Sequence, residues 1–125
     1  MIKNVLLIDD DEDEITIFNE ALQRAGIKCH CAWADSRQHA LQATPVPDII
    51  FLDVNMPCVN GFECLADIKK SPLLLSIPVI LYSTGMTSEL CRKGLMLGAA
   101  ACIAKAYTIT DLANTLTHLF NMQVS

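Results

Sequence analysis

The chain has 125 residues, a length typical of one domain, which we expect to span residues 1–125. Hydrophobic residues form 52% of it and charged residues 18%, a balance that supports a buried core and excludes a disordered chain. The net charge is −5 and the basic residues form no stripe, so direct nucleic-acid binding is not expected. No apolar run is long enough to cross a bilayer and the first residues do not resemble a signal peptide, so we expect no membrane partner and a cytoplasmic location.

The six cysteines are scattered through the chain: Cys29, Cys31, Cys58, Cys64, Cys91 and Cys102. They form no CxxC pair and have no histidine partner at zinc-finger spacing. We expect them to be reduced and to pack as small hydrophobic side chains, with a metal or redox role as the minor alternative.

Hydrophobic patterns predict strands that alternate with helices along the chain. The first strand is the apolar run at 3–8, and a helix follows at about 12–25, where Ile15, Phe18 and Leu22 share one face. Gly26 ends that helix. Next come a strand at 28–32, a short helix at 36–43, a strand at 48–52, a helix at about 61–69, a strand at 79–82, a helix at 87–97, a strand at 100–104 and a helix from 110 to about 120. The chain is therefore predicted to consist of five strand–helix units.

Five such units predict an α/β fold with a parallel sheet and helices on both faces. The strands at 3–8, 48–52 and 79–82 are continuous apolar runs, as expected of strands that are covered on both sides. Right-handed crossovers restrict the topology to a few arrangements. Among these we adopt the order 2-1-3-4-5 of flavodoxin-like sheets, a doubly wound (βα)5 fold that brings the ends of strands one and three together.

Acidic residues follow the predicted strands one and three at the point where each strand ends. Asp9 and Asp10 follow the first of these strands, and Asp53 follows the other. In the predicted sheet the three carboxylates share one crevice, where their mutual repulsion raises their pKa values and a bound dication relieves the repulsion. Oxygen ligands that leave room for water favour Mg²⁺. The sequence therefore predicts a magnesium site at this edge of the sheet.

Two more polar side chains lie at neighbouring strand ends. Lys105 follows the predicted fifth strand, where its charge is suited to neutralise a transferred phosphoryl group. Ser83 follows the fourth strand, and its hydroxyl is suited to hydrogen-bond a phosphoryl oxygen. A carboxylate at this edge is then placed to attack phosphorus in line with a leaving group.

In their order and spacing these pieces resemble the receiver domain of two-component response regulators, of the stand-alone single-domain type, over essentially the whole chain. The matching pieces are Asp9-Asp10, Asp53-x-x-Met56-Pro57-x-x-x-Gly61, the run from Pro78 to Ser83, Gly98-Ala99 and Lys105. The resemblance implies that Asp53 is the phosphoacceptor, that Ser83 (or its neighbour Thr84) is the switch hydroxyl and that Lys105 contacts the phosphoryl group. It also implies a Mg²⁺ site formed by Asp9, Asp10, Asp53 and the backbone carbonyl of Asn55.

Three positions depart from the usual pattern of that family. Ala106 stands where a proline with a cis bond is usual, so either the peptide is trans with a rearranged loop or strain is retained. Cys102 stands where a tyrosine or phenylalanine is usual, which puts the usual relay to the helix four–strand five–helix five face in doubt. Thr84 stands where alanine or glycine is usual, and its bulk is expected to alter the lifetime of the phosphoryl group.

The leading hypothesis is a phosphorylation-controlled binding switch that receives its phosphoryl group from a histidine kinase or a histidine phosphotransfer protein. It is expected to catalyse only its own phosphorylation and dephosphorylation. We expect no output domain after Ser125, and therefore a monomer or weak homodimer that binds a downstream protein through the helix four–strand five–helix five face. Two alternatives stay open. One is a constitutive adaptor with an impaired switch, favoured by Cys102 and Ala106, and the other is a phosphatase of the haloacid dehalogenase type, suggested by Asp9-x-Asp11 after an apolar strand.

Overall fold

The computed structural model describes residues 4–35, 46–54, 61–105 and 108–124, with side chains described up to residue 121. Within these ranges the elements in chain order are β1 (Asn4–Ile8), α1 (Asp13–Arg24), β2 (His30–Ala34), β3 (Ile49–Leu52), α2 (Gly61–Lys70), β4 (Val79–Ser83), α3 (Ser88–Met96), β5 (Ala101–Ala104) and α4 (Ile109–Val124). The short helix predicted at 36–43 lies outside the described residues. The predicted helices four and five therefore correspond to α3 and α4.

The five strands form one parallel sheet in the order β2-β1-β3-β4-β5. This confirms the predicted doubly wound, flavodoxin-like sheet. Ile8 lies opposite Leu52 in the register of β1 and β3, and the backbone N–H of Asp53 donates to the carbonyl of Ile8 at 3.0 Å. The residues that follow the two strands, Asp9 and Asp53, are therefore brought to the same edge of the sheet.

Both faces of the sheet are covered, which is why its three central strands are apolar except at Asn4, the first residue of β1, and Ser83, the last residue of β4. Alternate side chains of a strand point to opposite faces. On one face the sheet packs against α1 and α4 in a buried cluster that includes Leu7, Phe18, Phe51 and Leu116. On the other face it packs against α2 in a second buried cluster, whose larger members are Leu6, Ile8, Ile50, Leu52, Leu65, Ile68 and Leu81. The rigid sheet between two such cores fixes the positions of the strand ends.

The second strand was predicted two residues too early. It spans His30–Ala34 rather than 28–32, because it pairs residue for residue with β1, from Asn4 opposite His30 to Ile8 opposite Ala34. Helix α1 is terminated by Gly26, which has a φ of 72°, and the N–H of Ile27 donates to the carbonyl of Leu22. The residues just after the helix therefore belong to its C-terminal turn and not to the strand. Pairing with a neighbour, which local patterns do not encode, therefore set these bounds.

Helix α3 packs less deeply than the other helices. Gly94 is its one buried residue, and a Cβ atom there would collide with the side chain of Leu81 in β4. Leu95, Met96 and Leu97, at the end of α3 and just beyond it, are exposed by 47%, 82% and 38%. Close approach of the α3 backbone to the sheet, rather than burial of large side chains, holds this helix in place.

A disulfide bond joins Cys91 of α3 to Cys102 of β5, with Cα atoms 5.8 Å apart. The expectation that every cysteine is reduced was therefore wrong for these two residues. Cys91 lies on the side of α3 that faces β5, and the turn between helix and strand returns the chain to it after eleven residues. Cys29, Cys31 and Cys64 are free and pack against the two cores, as predicted for small hydrophobic side chains. In the part of the chain that the structure describes, no helix is both long and apolar enough to span a bilayer.

Candidate functional site

The predicted site residues with described positions meet at the carboxyl edge of the sheet. Asp9 follows β1, Asp53 follows β3, Ser83 ends β4 and Lys105 follows β5. Asp9 and Ser83 are fully buried and Asp53 is 5% exposed, whereas Asp10 is exposed. Four neighbouring strands thus each place one buried or half-buried polar residue at the same edge of the sheet.

Lys105 forms ion pairs with three acidic side chains in this crevice. Its Nζ lies 2.8 Å from Oδ2 of Asp9, 3.0 Å from Oδ2 of Asp53 and 3.6 Å from Oε1 of Glu14. Its backbone N–H donates to the carbonyl of Ser83 at 3.1 Å, so the pairing of β4 with β5 positions its side chain. Burial lowers the pKa of Lys105, but the hydrogen bonds to Asp9 and Asp53 and their charges outweigh burial, so the pKa is raised and the amine stays charged.

Asp9 is held on three sides by the chain around it. Its backbone N–H donates to the carbonyl of Ala34 at 3.0 Å, and its Oδ1 accepts from the N–H of Asp11 at 3.0 Å. Nε1–H of Trp33 donates to its carbonyl oxygen at 2.8 Å. The first and third of these bonds fix the backbone of Asp9, while the bond from Asp11 and the ion pair with Lys105 orient its carboxylate.

The pKa of Asp9 is raised to about 6. Burial is the main cause, while Lys105 and the N–H of Asp11 lower the pKa and the charge of Asp53 raises it slightly. The sequence predicted a raised pKa from crowding of the carboxylates. For Asp9 the direction was right, but burial contributes more than repulsion.

The three acids form a group that fits a divalent cation. One carboxylate oxygen each from Asp9, Asp10 and Asp53 lies within 4.8 Å of the other two. An all-oxygen donor set with one exposed member, which leaves room for water, is the kind that Mg²⁺ and Mn²⁺ prefer. Asn55, whose backbone carbonyl was predicted as a further ligand, lies outside the described residues, as does Ala106.

The two candidate hydroxyls differ in their surroundings. Ser83 is fully buried and pairs with Ala104 beside the crevice, and its Oγ–H donates to the carbonyl of Thr84 at 3.1 Å. Thr84 is exposed. The geometry therefore favours Ser83 as the hydroxyl that belongs to the site and places Thr84 at its rim.

The backbone of Gly61 packs against the backbone of Asp53 and Val54. A Cβ atom at Gly61 would collide with the backbone of Val54 and come within 2.8 Å of the carbonyl oxygen of Asp53. The first residue of α2 therefore has to be glycine for the helix to start this close to the end of β3. This close approach gives a structural reason for the glycine in the motif that follows Asp53.

Gly61→Ala is expected to lower the free energy of unfolding by about 1–3 kcal/mol, because the added methyl overpacks the contact with Val54 and Asp53. Urea unfolding followed by circular dichroism measures this change. Glycine-to-alanine changes in a helix ordinarily stabilise it by up to about 1 kcal/mol. An unchanged or increased stability would therefore contradict the close contact.

Two residues of the site were not predicted. Glu14 was assigned only to the start of the first helix, and Trp33 was not singled out. A single tryptophan near a strand end was a usable signal, because a partly buried indole N–H needs an acceptor. Glu14 gave no comparable signal, because acids are common in the first turn of any helix.

Asp11 does not take part in the acid group. It is exposed, and its Oδ1 accepts from the N–H of Asp13 at 3.0 Å in the turn before α1. The Asp-x-Asp pair of a haloacid dehalogenase would need this side chain beside Asp9. Asp10 takes that place instead, so the geometry does not favour that alternative.

A family model described as the response regulator receiver domain matches residues 5–117. The two-component response regulator ORR12 of Oryza sativa subsp. japonica is 30% identical over 122 residues, which cover 93% of this chain and 97% of the rice protein. The phosphate regulon transcriptional regulatory protein PhoB of Pseudomonas aeruginosa is 29% identical over 114 residues. That match covers 91% of this chain and 50% of PhoB, so the chain spans half the length of this relative.

Solved structures of response regulators share the fold. The phosphorylated cyanobacterial phytochrome response regulator RcpA superposes with a TM-score of 0.84 at 25% identity, over 100% of this chain and 96% of RcpA. The Mn²⁺-bound form of response regulator Rcp1 superposes with a TM-score of 0.79 at 25% identity, over 97% of this chain and 94% of Rcp1.

Proposed function

Since this chain belongs to the response regulator receiver domain family, we propose that it is a phosphorylation-controlled signalling switch in which Asp53 is the phosphoacceptor. Proteins of this family are signalling switches rather than classical enzymes. The observation that carries the proposal is the position of the buried carboxylate of Asp53. It lies 3.0 Å from Nζ of Lys105 and close enough to Asp9 and Asp10 for all three to share one divalent cation. Residues 1–125 act as one receiver domain in this proposal.

The chemistry assigned to Asp53 is a phosphoryl transfer. A carboxylate oxygen attacks the phosphorus of a phosphohistidine, the O–P bond forms as the N–P bond breaks, and the imidazole takes up a proton as it leaves. Lys105 supplies a fixed positive charge next to the oxygens of the transferred group. Hydrolysis reverses the state of Asp53 when water attacks the same phosphorus and the carboxylate leaves. The protein thereby catalyses only its own phosphorylation and dephosphorylation.

We assign the cation to Mg²⁺, held by Asp9, Asp10, Asp53 and the backbone carbonyl of Asn55. When bound, it supplies charge neutralisation for the incoming phosphoryl oxygens. The structural neighbour Rcp1 has been solved in a Mn²⁺-bound form, which supports a divalent cation as a ligand of this chain. Lys105 pairs with Asp9 and Asp53 before the cation binds, so the negative charge of the crevice is compensated in part.

Ser83 is proposed to hydrogen-bond a phosphoryl oxygen after transfer. Its hydroxyl now donates to the carbonyl of Thr84, and rotation about one side-chain bond redirects that donor. Ser83 is the last residue of β4 and α3 begins five residues later, so a change at the hydroxyl is transmitted first to the segment that carries α3.

The partners proposed are a histidine kinase or histidine phosphotransfer protein as donor and a downstream protein on the α3–β5–α4 face, the predicted helix four–strand five–helix five face. An open groove along α3 is lined by Glu89, Leu90, Arg92, Lys93, Met96 and Leu97. Its exposed Met96 and Leu97 offer apolar surface, with Arg92 and Lys93 beside it. The transcriptional regulatory role in the name of PhoB is not carried over, because the chain matches only half of that protein.

The direct test is incubation of the purified protein with a small phosphodonor such as acetyl phosphate. With Mg²⁺ present, intact-protein mass spectrometry is expected to show the mass increase of one phosphoryl group. Hydroxylamine should remove it, because it cleaves acyl phosphates and spares phosphoserine and phosphothreonine. Labelling that is equal with and without a chelator would contradict the metal assignment.

The affinity for Mg²⁺ is expected to fall about tenfold between pH 7 and pH 5, because Asp9, with a pKa of about 6, must lose its proton to bind a cation. The affinity falls and does not rise at low pH, because below about pH 6 protons compete with the metal for the carboxylate of Asp9. The fluorescence of Trp33, the one tryptophan, measures binding, as its Nε1–H bonds the backbone of Asp9. Asp9→Asn should bind more weakly and lose this pH dependence. An unchanged pH dependence in Asp9→Asn would assign the titration to another group.

The second candidate function is a constitutive adaptor with an impaired switch. The observation that favours it is the disulfide between Cys91 and Cys102, which ties α3 to β5 on the proposed output face. Beryllofluoride, which mimics an acyl phosphate on a carboxylate, separates the two candidates. A switch changes the amide NMR spectrum of α3 on adding beryllofluoride and Mg²⁺, whereas a constitutive adaptor does not.

A further inference from the structure

The covalent link between Cys91 and Cys102 joins β5 to a helix that buries few side chains. Helix α1 buries Phe18, Ala21 and Leu22 against the sheet, whereas α3 buries only Gly94. The hydrophobic contribution to holding a helix scales with the apolar area it buries. The disulfide is therefore a larger share of what fixes α3 than it would be for a deeply packed helix.

The link also lies between two segments of the crevice. Cys102 precedes Lys105 by three residues on β5, and Cys91 follows the N-terminal cap of α3, Thr87, by four. Ser83 precedes that cap by four residues at the end of β4. A restraint between Cys91 and Cys102 therefore limits how far α3 can move relative to the strand that carries Lys105.

Cys91 and Cys102 are less buried than Cys64, and the other thiols among the described residues are poor competitors. Cys91 and Cys102 are both only partly buried, whereas Cys64 is fully buried. Burial raises the pKa values of Cys29 and Cys31, that of Cys31 to about 12, so these thiols yield little reactive thiolate. Within the described residues, Cys91 and Cys102 are thus the pair set up for selective thiol–disulfide exchange.

We propose that Cys91 and Cys102 form a reversible redox-modification site whose disulfide clamps α3 onto β5. The oxidant is a low-molecular-weight disulfide or a thiol–disulfide oxidoreductase. One cysteine thiolate attacks the reagent disulfide and releases one thiol, and the other then attacks the mixed disulfide and releases the second thiol. The protein loses two hydrogens, the reagent gains them, and a dithiol reductant reverses the reaction.

The clamp has a consequence that rests on the proposed function. If phosphorylation of Asp53 moves α3 through Ser83, the oxidised protein resists that movement and the reduced protein allows it. The same chain would then respond to phosphorylation more strongly when the pair is reduced. The redox state of the pair would thereby set how much of the phosphoryl signal reaches the α3–β5–α4 face.

Hydrogen exchange on the full chain tests the clamp without any phosphodonor. After oxidation with glutathione disulfide, proteolysis is expected to yield a linked peptide pair containing Cys91 and Cys102. Amide exchange in 88–96 should be about tenfold slower than in the dithiothreitol-reduced protein, because the cross-link restricts local opening of α3. Failure to form the linked pair, or a linked pair with unchanged exchange in α3, overturns the proposal.

Two variants serve as matched controls. Cys91→Ser cannot form the link and should exchange at the reduced rate under both conditions. Cys29→Ser changes a free cysteine in another part of the fold and should keep the full difference. A difference that persists in Cys91→Ser would overturn the assignment to this pair.

A beryllofluoride arm separates this inference from the proposed function. The reduced protein should show a change in α3 exchange when beryllofluoride and Mg²⁺ are added, and the oxidised protein a smaller one. Equal changes would overturn the gating of the signal. No change in either form would overturn the proposed switch, while the comparison without beryllofluoride still decides the clamp.

Discussion

Asp53→Asn is expected to reduce phosphoryl labelling by acetyl phosphate to background. An amide oxygen at this position is a far weaker nucleophile than a carboxylate and cannot form a stable acyl phosphate. The buried carboxylate next to Lys105 is the group that the geometry places for attack. Mass spectrometry of the intact protein at a fixed time after mixing gives the labelled fraction directly.

Controls for this result come from the same acidic run. Asp13→Asn removes an exposed charge in the first turn of α1 that is outside the acid group, and should leave labelling unchanged. Asp10→Asn removes one proposed metal ligand but keeps the acceptor, so labelling should be slower and still located on Asp53. Hydroxylamine-sensitive label that persists in Asp53→Asn would place the acceptor elsewhere and remove the basis of the proposed function.

The positions of Asp9, Asp53 and Lys105 could be predicted because strand ends carry them. Apolar runs in a β–α alternation indicate buried parallel strands, and the carboxyl ends of such strands share one edge of the sheet. The side chain that directly follows each run is then located without any knowledge of packing. The position of Glu14 could not be predicted in this way, because its side chain reaches the crevice from α1 only through the docking of that helix on the sheet.

Contacts set by docking were also missed elsewhere in the molecule. The pairing of Cys91 with Cys102 depends on which side of α3 faces β5, and eleven residues of separation does not reveal that orientation. The bounds of β2 depend on its register with β1 rather than on its own residues. The dominance of burial in the pKa of Asp9 likewise depends on how tightly the strand ends are covered. Each of these properties depends on contacts between elements, which the residue pattern within one segment does not encode.

Lys105→Met is expected to lower the free energy of unfolding by about 3 kcal/mol at about pH 7 in the absence of metal, since breaking a buried ion pair typically costs 3–5 kcal/mol. The change removes the cation that Asp9 and Asp53 share, at 2.8 and 3.0 Å from their oxygens. The Lys105 side chain is only 12% exposed, so water cannot fully solvate the two carboxylates once the charge of Lys105 is removed. Urea unfolding with a chelator present measures the loss, and Lys70→Met, at an exposed lysine of α2, should change stability by less than about 0.5 kcal/mol.

Two conditions should reduce the cost of Lys105→Met, and both follow from the charge of the crevice. The folded-state pKa of Asp9 is about 6, above its ordinary 3.8, so the stability from its bound proton is lost as pH rises through about 6. Without Lys105, which lowers this pKa, Asp9 holds its proton to higher pH, so the deficit of the variant grows between about pH 5 and pH 7. Millimolar Mg²⁺ should restore part of the stability at pH 7 by supplying the missing charge. A deficit that is the same at both pH values and unaffected by Mg²⁺ would show that Lys105 stabilises the fold through packing of its stem and not through the carboxylates.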